Sequence, residues 1–158
     1  MCYNDPMKTL NEWFSEYGES HQNRTNKIIH KICVPLITWS LLGILWTIPV
    51  PDLFISFGLN WAHLFLALAL VFYASLKSLK VIGVFALLAI PACVFFKLTW
   101  PLIGYKLFTG SILVFVLAWI GQFIGHKIEG KKPSFFKDLQ FLLIGPIWVF
   151  SDIIRFSK

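Results

Sequence analysis

The sequence predicts an all-helical integral membrane protein: four to five transmembrane helices behind an N-terminal amphipathic helix, in one membrane-embedded domain over residues 1–158. Three observations carry that reading. Hydrophobic residues make up 57% of the chain and charged residues only 14%, whereas a soluble domain carries about a quarter charged residues. Mean hydropathy is +0.71, and the apolar residues fall in runs long enough to cross a bilayer. Between the runs lie short stretches that hold most of the Lys and Arg.

The N-terminal segment is polar and has no apolar core of the kind a cleavable signal peptide needs. Within residues 7–19, Leu10, Trp13, Phe14 and Tyr17 recur at i, i+3, i+4 and i+7. That spacing predicts an amphipathic helix, too short and too charged to span. Its aromatic face suits either the membrane interface or the underside of the bundle. Gln22-Asn-Arg-Thr25 reads as a break, with Asn23 or Thr25 capping the helix that follows. The break matters because His21 and His30 lie nine residues apart. In one continuous helix they would point to opposite sides; a turn lets both face one point.

The first span is expected over residues 32–50, ended by Pro49 and Pro51. A loop without Lys or Arg leads to a second span over 61–76. Lys77 and Lys80 mark a basic turn before the third span, 81–96, which holds Pro91. Residues 97–106 read as a loop whose Trp100 and Tyr105 suit an interface. The fourth span, 107–124, ends just before His126. The last apolar run, 139–154, carries Pro146 and is either a fifth span or a re-entrant helix. No internal repeat and no low-complexity segment is present.

The net charge of +6 points to lysines retained on the cytoplasmic side, not to nucleic acid, because no basic patch interleaved with aromatics lies outside the apolar runs. Lys8, Arg24, Lys27, Lys31, the Lys77 turn and the four lysines from Lys127 to Lys137 all fall on one side when four spans are threaded. The N-terminus, His21, His30 and His126 are therefore expected at the cytoplasmic face. His63 falls at the other face, ~30 Å away across the hydrocarbon, and reads as structural. The three cysteines form no CxxC pair and imply no disulfide framework.

The stretch with most chemistry is Gly121-Gln-Phe-Ile-Gly-His-Lys-Ile-Glu-Gly-Lys-Lys-Pro133. Gln122, His126 and Glu129 stand at i, i+4 and i+7, so they form one polar stripe at the mouth of an apolar helix. Such a stripe is costly unless something uses it. The candidates are a metal ion or a polar head group. Imidazole is the commonest metal ligand, and a carboxylate beside it favours iron or zinc. Asn26 shares a face with His30. The lysine run after His126 reads as an anchor at the cytoplasmic face and as an attractor of a carboxylate head group.

The blocks Glu16-Tyr-Gly-Glu-Ser-His21, Asn26-Lys-Ile-Ile-His30 with Pro35, and Gln122-Phe-Ile-Gly-His126 with Glu129-Gly and Pro133 resemble the Mpo1-like family. The resemblance runs from about residue 7 to 154. It implies an Fe(II)-dependent dioxygenase that uses O2 to shorten a 2-hydroxy fatty acid by one carbon, in fatty acid α-oxidation and sphingoid base degradation. It implies that His21, His30 and His126 are catalytic and hold the iron, with Glu129 a further ligand or an orienting group. Asn26 and Gln122 would orient the imidazoles, and Lys127 or Lys131 would pair with the substrate carboxylate. The compartment implied is the endoplasmic reticulum or a bacterial inner membrane. The alternatives are another metal-dependent lipid-modifying enzyme, or a non-enzymatic membrane scaffold or transporter.

Overall fold

A computed structural model describes residues 8–130 and 135–151. Among the described residues every regular element is an α-helix, in the order α1 (Leu10–Glu19), α2 (Arg24–Thr47), α3 (Asp52–Ser56), α4 (Trp61–Ser75), α5 (Leu79–Ile103), α6 (Tyr105–Glu129) and α7 (Phe135–Val149). By length and composition α2, α5 and α6 are long and apolar enough to cross a membrane. α4 occupies nearly the residues of the expected second span. Its 15 residues cover only ~22 Å at 1.5 Å per residue, short of the ~30 Å hydrocarbon.

The helix ends follow local chemistry. Thr9 caps α1: its hydroxyl accepts from the Glu12 amide at 3.3 Å, and the Glu12 carboxylate accepts from the Thr9 amide at 2.6 Å. Asn23 caps α2, its side-chain oxygen accepting from the Thr25 amide at 2.9 Å and the Asn26 amide at 3.4 Å. α2 thus begins well before the expected span and carries Asn26 and His30 in its first two turns. The expected loop over 97–106 is corrected: α5 continues to Ile103, and the reversal is made by Gly104 alone, at φ 48°. A span in lipid satisfies its backbone only by remaining helical, so α5 and α6 extend until they clear the hydrocarbon. Gly130, at φ 74°, ends α6 in the left-handed conformation that suits glycine.

α1 does not lie free. Leu10 and Tyr17 are buried, and Leu10 joins Ala69, Tyr73, Val81, Val84 and Ile147 in a cluster that draws on α4, α5 and α7. Trp13 meets Phe72 and Phe141 edge-on at 6.1 and 6.4 Å. The aromatic face therefore covers the bundle. A second cluster, Leu42, Ala62, Ala92, Phe96 and Leu107, fills the opposite end. Large apolar side chains such as Leu68, Leu102 and Leu117 are exposed on the outside, as a lipid-facing surface requires.

The most extensive helix pair is α2 with α6. Its closeness depends on missing side chains. A Cβ at Gly121 would stand 2.6 Å from Cys33 Sγ, and one at Gly125 would meet Asn26 Oδ1 and the His30 ring at 3.2 Å. Gly43 on α2 makes the same allowance for Ser111. Small residues four apart let two membrane helices approach backbone to backbone.

Gly125→Ala should therefore lower stability by about 1–3 kcal/mol, the cost of overpacking a closed site. Gly110→Ala, in the same helix with nothing within 4 Å of the added Cβ, should be neutral or slightly stabilising. Thermal unfolding of both variants in detergent checks the contrast; equal behaviour would mean the close approach does not exist.

Candidate functional site

Three separate segments deliver the polar groups. The Ser20–Asn23 link between α1 and α2 carries His21, the start of α2 carries Asn26 and His30, and the end of α6 carries Gln122, His126 and Glu129. His21, His30 and His126 are 1%, 2% and 7% exposed, so the imidazoles are removed from water. Their rings meet: centroids are 4.2 Å apart for His21 and His30, 4.9 Å for His30 and His126, and 5.9 Å for His21 and His126. The fold brings these residues to one end of the bundle.

The hydrogen bonds assign the protons. His21 Nδ1 lies 2.6 Å from the Tyr17 carbonyl, which can only accept, so Nδ1 carries the proton and Nε2 presents a lone pair. That Nε2 faces His30 Nδ1 at 2.8 Å. His30 then donates through Nδ1 and turns the lone pair of its Nε2 into the interior, where this atom has no hydrogen-bond partner among the described residues. The Tyr17 ring stacks flat on His21 at 4.1 Å and 6°, and Trp148 closes on both, 4.8 Å from Tyr17 and 5.2 Å from His21. Burial pushes His21 down from the ordinary 6.5 to about 4; His126 adds to the fall, while the Tyr17 carbonyl and Glu129 oppose it. The ring is neutral at physiological pH.

Glu129 does something different from its neighbours. Its carboxylate accepts from the Gln22 amide at 2.8 Å, the Asn23 amide at 3.0 Å and the Asn26 side-chain amide at 2.8 Å. Asn26 also donates to the Ser20 carbonyl at 3.0 Å. Together they tie the His21 link to the end of α6. Among the described residues no group of three or more His, Cys, Asp and Glu side chains is arranged to hold a metal ion. The set of His21, His30, His126 and Glu129 is thus not assembled as a ready cage: two imidazoles bond to each other, and the carboxylate holds the link.

The remaining expected residues divide. Gln122 is buried and lines a cavity of about 40 Å³ with the three histidines, Tyr17 and Trp119. Lys127 is exposed and forms no part of that wall. Lys131 lies outside the described residues. His63 is remote. Its Nδ1 accepts from the Asn60 amide at 3.2 Å, capping α4, and its ring lies 4.9 Å from Trp46, ~24 Å along α2 from His30 by helix rise.

Sequence reading missed Tyr17, Trp148 and the close-packing glycines. Two signals were there: Tyr17 stands four before His21, and Gly121-Gln-Phe-Ile-Gly125 has the small-xxx-small spacing. Trp148 had none, because an apolar run does not say which of its faces meets which helix.

A family model described as "2-hydroxy-palmitic acid dioxygenase Mpo1-like" matches residues 7–156. No curated protein and no solved structure matches the chain.

Between about pH 4 and 6.5 the unfolded chain binds a proton that the buried His21 refuses, so stability rises with pH across that window and is lost as pH falls through it. The thermal midpoint of chelator-treated protein should drop as pH is lowered from about 7 to about 5. His21→Gln should flatten the drop; an unchanged slope would mean His21 is not the buried neutral ring described.

Proposed function

The chain is a member of the Mpo1-like family, and we propose that it is an iron-dependent dioxygenase that converts a 2-hydroxy fatty acid into the acid one carbon shorter. The observation that carries this reading is the meeting of three buried imidazoles from separate segments, with the lone pair of His30 Nε2 left unpartnered. A buried polar atom without a partner costs about 1–3 kcal/mol, a burden that ligand binding relieves. The family description names a 2-hydroxy acid as the substrate. The apolar spans and the end-of-helix position of the site suit a substrate whose tail belongs in the bilayer.

The donor chemistry of three neutral imidazoles suits an Fe(II) ion, although the rings are not assembled as a ready cage. His21, His30 and His126 would hold it, His30 through the Nε2 lone pair that has no hydrogen-bond partner among the described residues. Fe(II), when bound, supplies the one-electron chemistry that allows dioxygen to react with a 2-hydroxy acid. The overall reaction, 2-hydroxy acid plus O2 giving the shortened acid, CO2 and water, balances in atoms and electrons without a further reductant.

The chain's own groups supply the rest. The Tyr17 carbonyl and ring fix the tautomer and plane of His21. Glu129 and Asn26 act as a clamp that keeps the His21 link against α6, and not as direct ligands. Gln122 presents a buried amide to the carboxylate or hydroxyl of the substrate. Val34, Ile37 and Trp119 keep water away. Lys127, exposed at the same end, draws carboxylates to the surface. The excess of Lys and Arg at this end favours the cytoplasmic side, whether the membrane is the endoplasmic reticulum or a bacterial inner membrane.

Protein purified in detergent should hold about one iron per chain and consume O2 with a 2-hydroxy fatty acid. Any of His21→Ala, His30→Ala or His126→Ala should remove most of the iron and the activity. Glu129→Ala or Asn26→Ala should cost about 10–100-fold, the usual effect of a group that only orients ligands. Full activity in metal-free protein, or equal turnover of the acid lacking the 2-hydroxyl, would overturn the reading.

His63→Ala should keep both iron and turnover. Its loss should appear as about 1 kcal/mol of stability, the worth of a helix cap. Loss of iron from that folded variant would place the site at the wrong end of the molecule.

A further inference from the structure

The histidine cavity has an apolar neighbour. A second cavity, of about 90 Å³, lies between α2, α4, α5 and α7. Among the described residues the two walls share one side chain, Leu142. The second wall is hydrocarbon. Its two hydroxyls are spent on backbone: Tyr73 donates to the Leu143 carbonyl, and Thr38 to the Val34 carbonyl at 3.0 Å. Among the described residues no charged side chain lines it.

The cavity has a direction. Leu142, Leu143 and Tyr73 stand at the histidine end, next to the cluster that holds Leu10. Leu42, Phe65, Leu66 and Ala92 stand at the far end, beside the second core cluster. Along α2 the wall runs from Pro35 to Leu42, a rise of ~10 Å, and Leu42 stands ~18 Å beyond His30, a distance that a long acyl chain reaches and a short one does not. Pro35 and Trp39 belong to the same wall and are themselves exposed on the lipid-facing side of α2, so a chain reaches the cavity sideways from the bilayer.

We propose that this cavity takes the acyl tail of the substrate, that Leu142 is the gate between tail and head group, and that Leu42, Phe65, Leu66 and Ala92 set the chain length accepted. The proposal rests on the lipid-acid reading of the histidine site. It adds an occupant to a space that site does not need for chemistry. A tail passing Leu142 leaves its carboxyl end among Gln122 and the histidines, where the polar groups are. Reversed, the carboxylate would sit among hydrocarbon with no partner, at a cost no bilayer-derived ligand would bear.

Two measurements test it. The first is photolabelling of the full chain in nanodiscs with a 2-hydroxypalmitic acid that carries a diazirine at its methyl end, followed by mass spectrometry. Labels are expected on Leu42, Phe65, Leu66 or Ala92, suppressed by excess unlabelled 2-hydroxypalmitic acid. Labels only on outward residues such as Leu68 or Leu102, or cavity labels that the competitor leaves unchanged, overturn the proposal. The second is turnover by Ala92→Phe and Leu66→Trp. Either should lower kcat/KM for 2-hydroxypalmitic acid roughly tenfold relative to 2-hydroxydecanoic acid. Equal loss on both acids in a folded variant overturns it as well. The labelling needs no turnover, so competed labels in a protein that oxidises neither acid would support the cavity while sinking the reaction. Turnover without cavity labels would do the reverse.

Discussion

The backbone contact between α2 and α6 is the constraint on which the rest depends. At Gly121 and Gly125 the two helices come so close that the side chains of Cys33, Asn26 and His30 occupy the space a Cβ would need. Without that approach His30 and His126 could not bring their rings to 4.9 Å. The carboxylate of Glu129 then has a fixed target one turn further on, and it seizes the two link amides and the Asn26 amide. One close crossing thus carries both the imidazole cluster and the loop that completes it.

Burial sets the chemistry of the cluster. In water three imidazoles this close would repel as cations. With water removed, the charged form of His21 is disfavoured, and the Tyr17 carbonyl holds its proton on Nδ1. Tyr17 comes from α1 and Trp148 from α7, so elements that could pass for peripheral form the lid. This explains why α1 packs its aromatic face inward. A helix floating at the interface would leave His21 exposed and its ring free to protonate.

The molecule separates polar from apolar work between the histidine end and the far end of the bundle. Hydrogen-bonding side chains gather where α2 starts and α6 ends, and the space beyond Leu142 is hydrocarbon. The proposed substrate, with a charged head and a greasy tail, matches that division. The short α4 is held by packing: its small residue Ala62 joins the cluster of α2, α5 and α6, and Ala69 the cluster of α1, α5 and α7, so a helix buried on those sides need not match the bilayer thickness alone.

Composition and run length determined the class, because a chain with so few charges cannot stay in water and its backbone must fold into helices in lipid. The Lys and Arg pattern implied that His21, His30 and His126 share one end, since charge controls threading and threading is one-dimensional. The break at Gln22–Thr25 and the cap at Asn23 were likewise readable, being local. Tertiary structure alone decided where α5 ends, because lipid contact and not the Trp100 and Tyr105 aromatics sets helix length. It alone decided that Glu129 clamps a loop through three hydrogen bonds, since an i, i+7 spacing fixes a face but not what the face meets. It alone decided that Leu142 stands between two cavities, because the side of α7 that turns inward depends on packing against Val34 and Tyr17, atoms more than a hundred residues away in the chain.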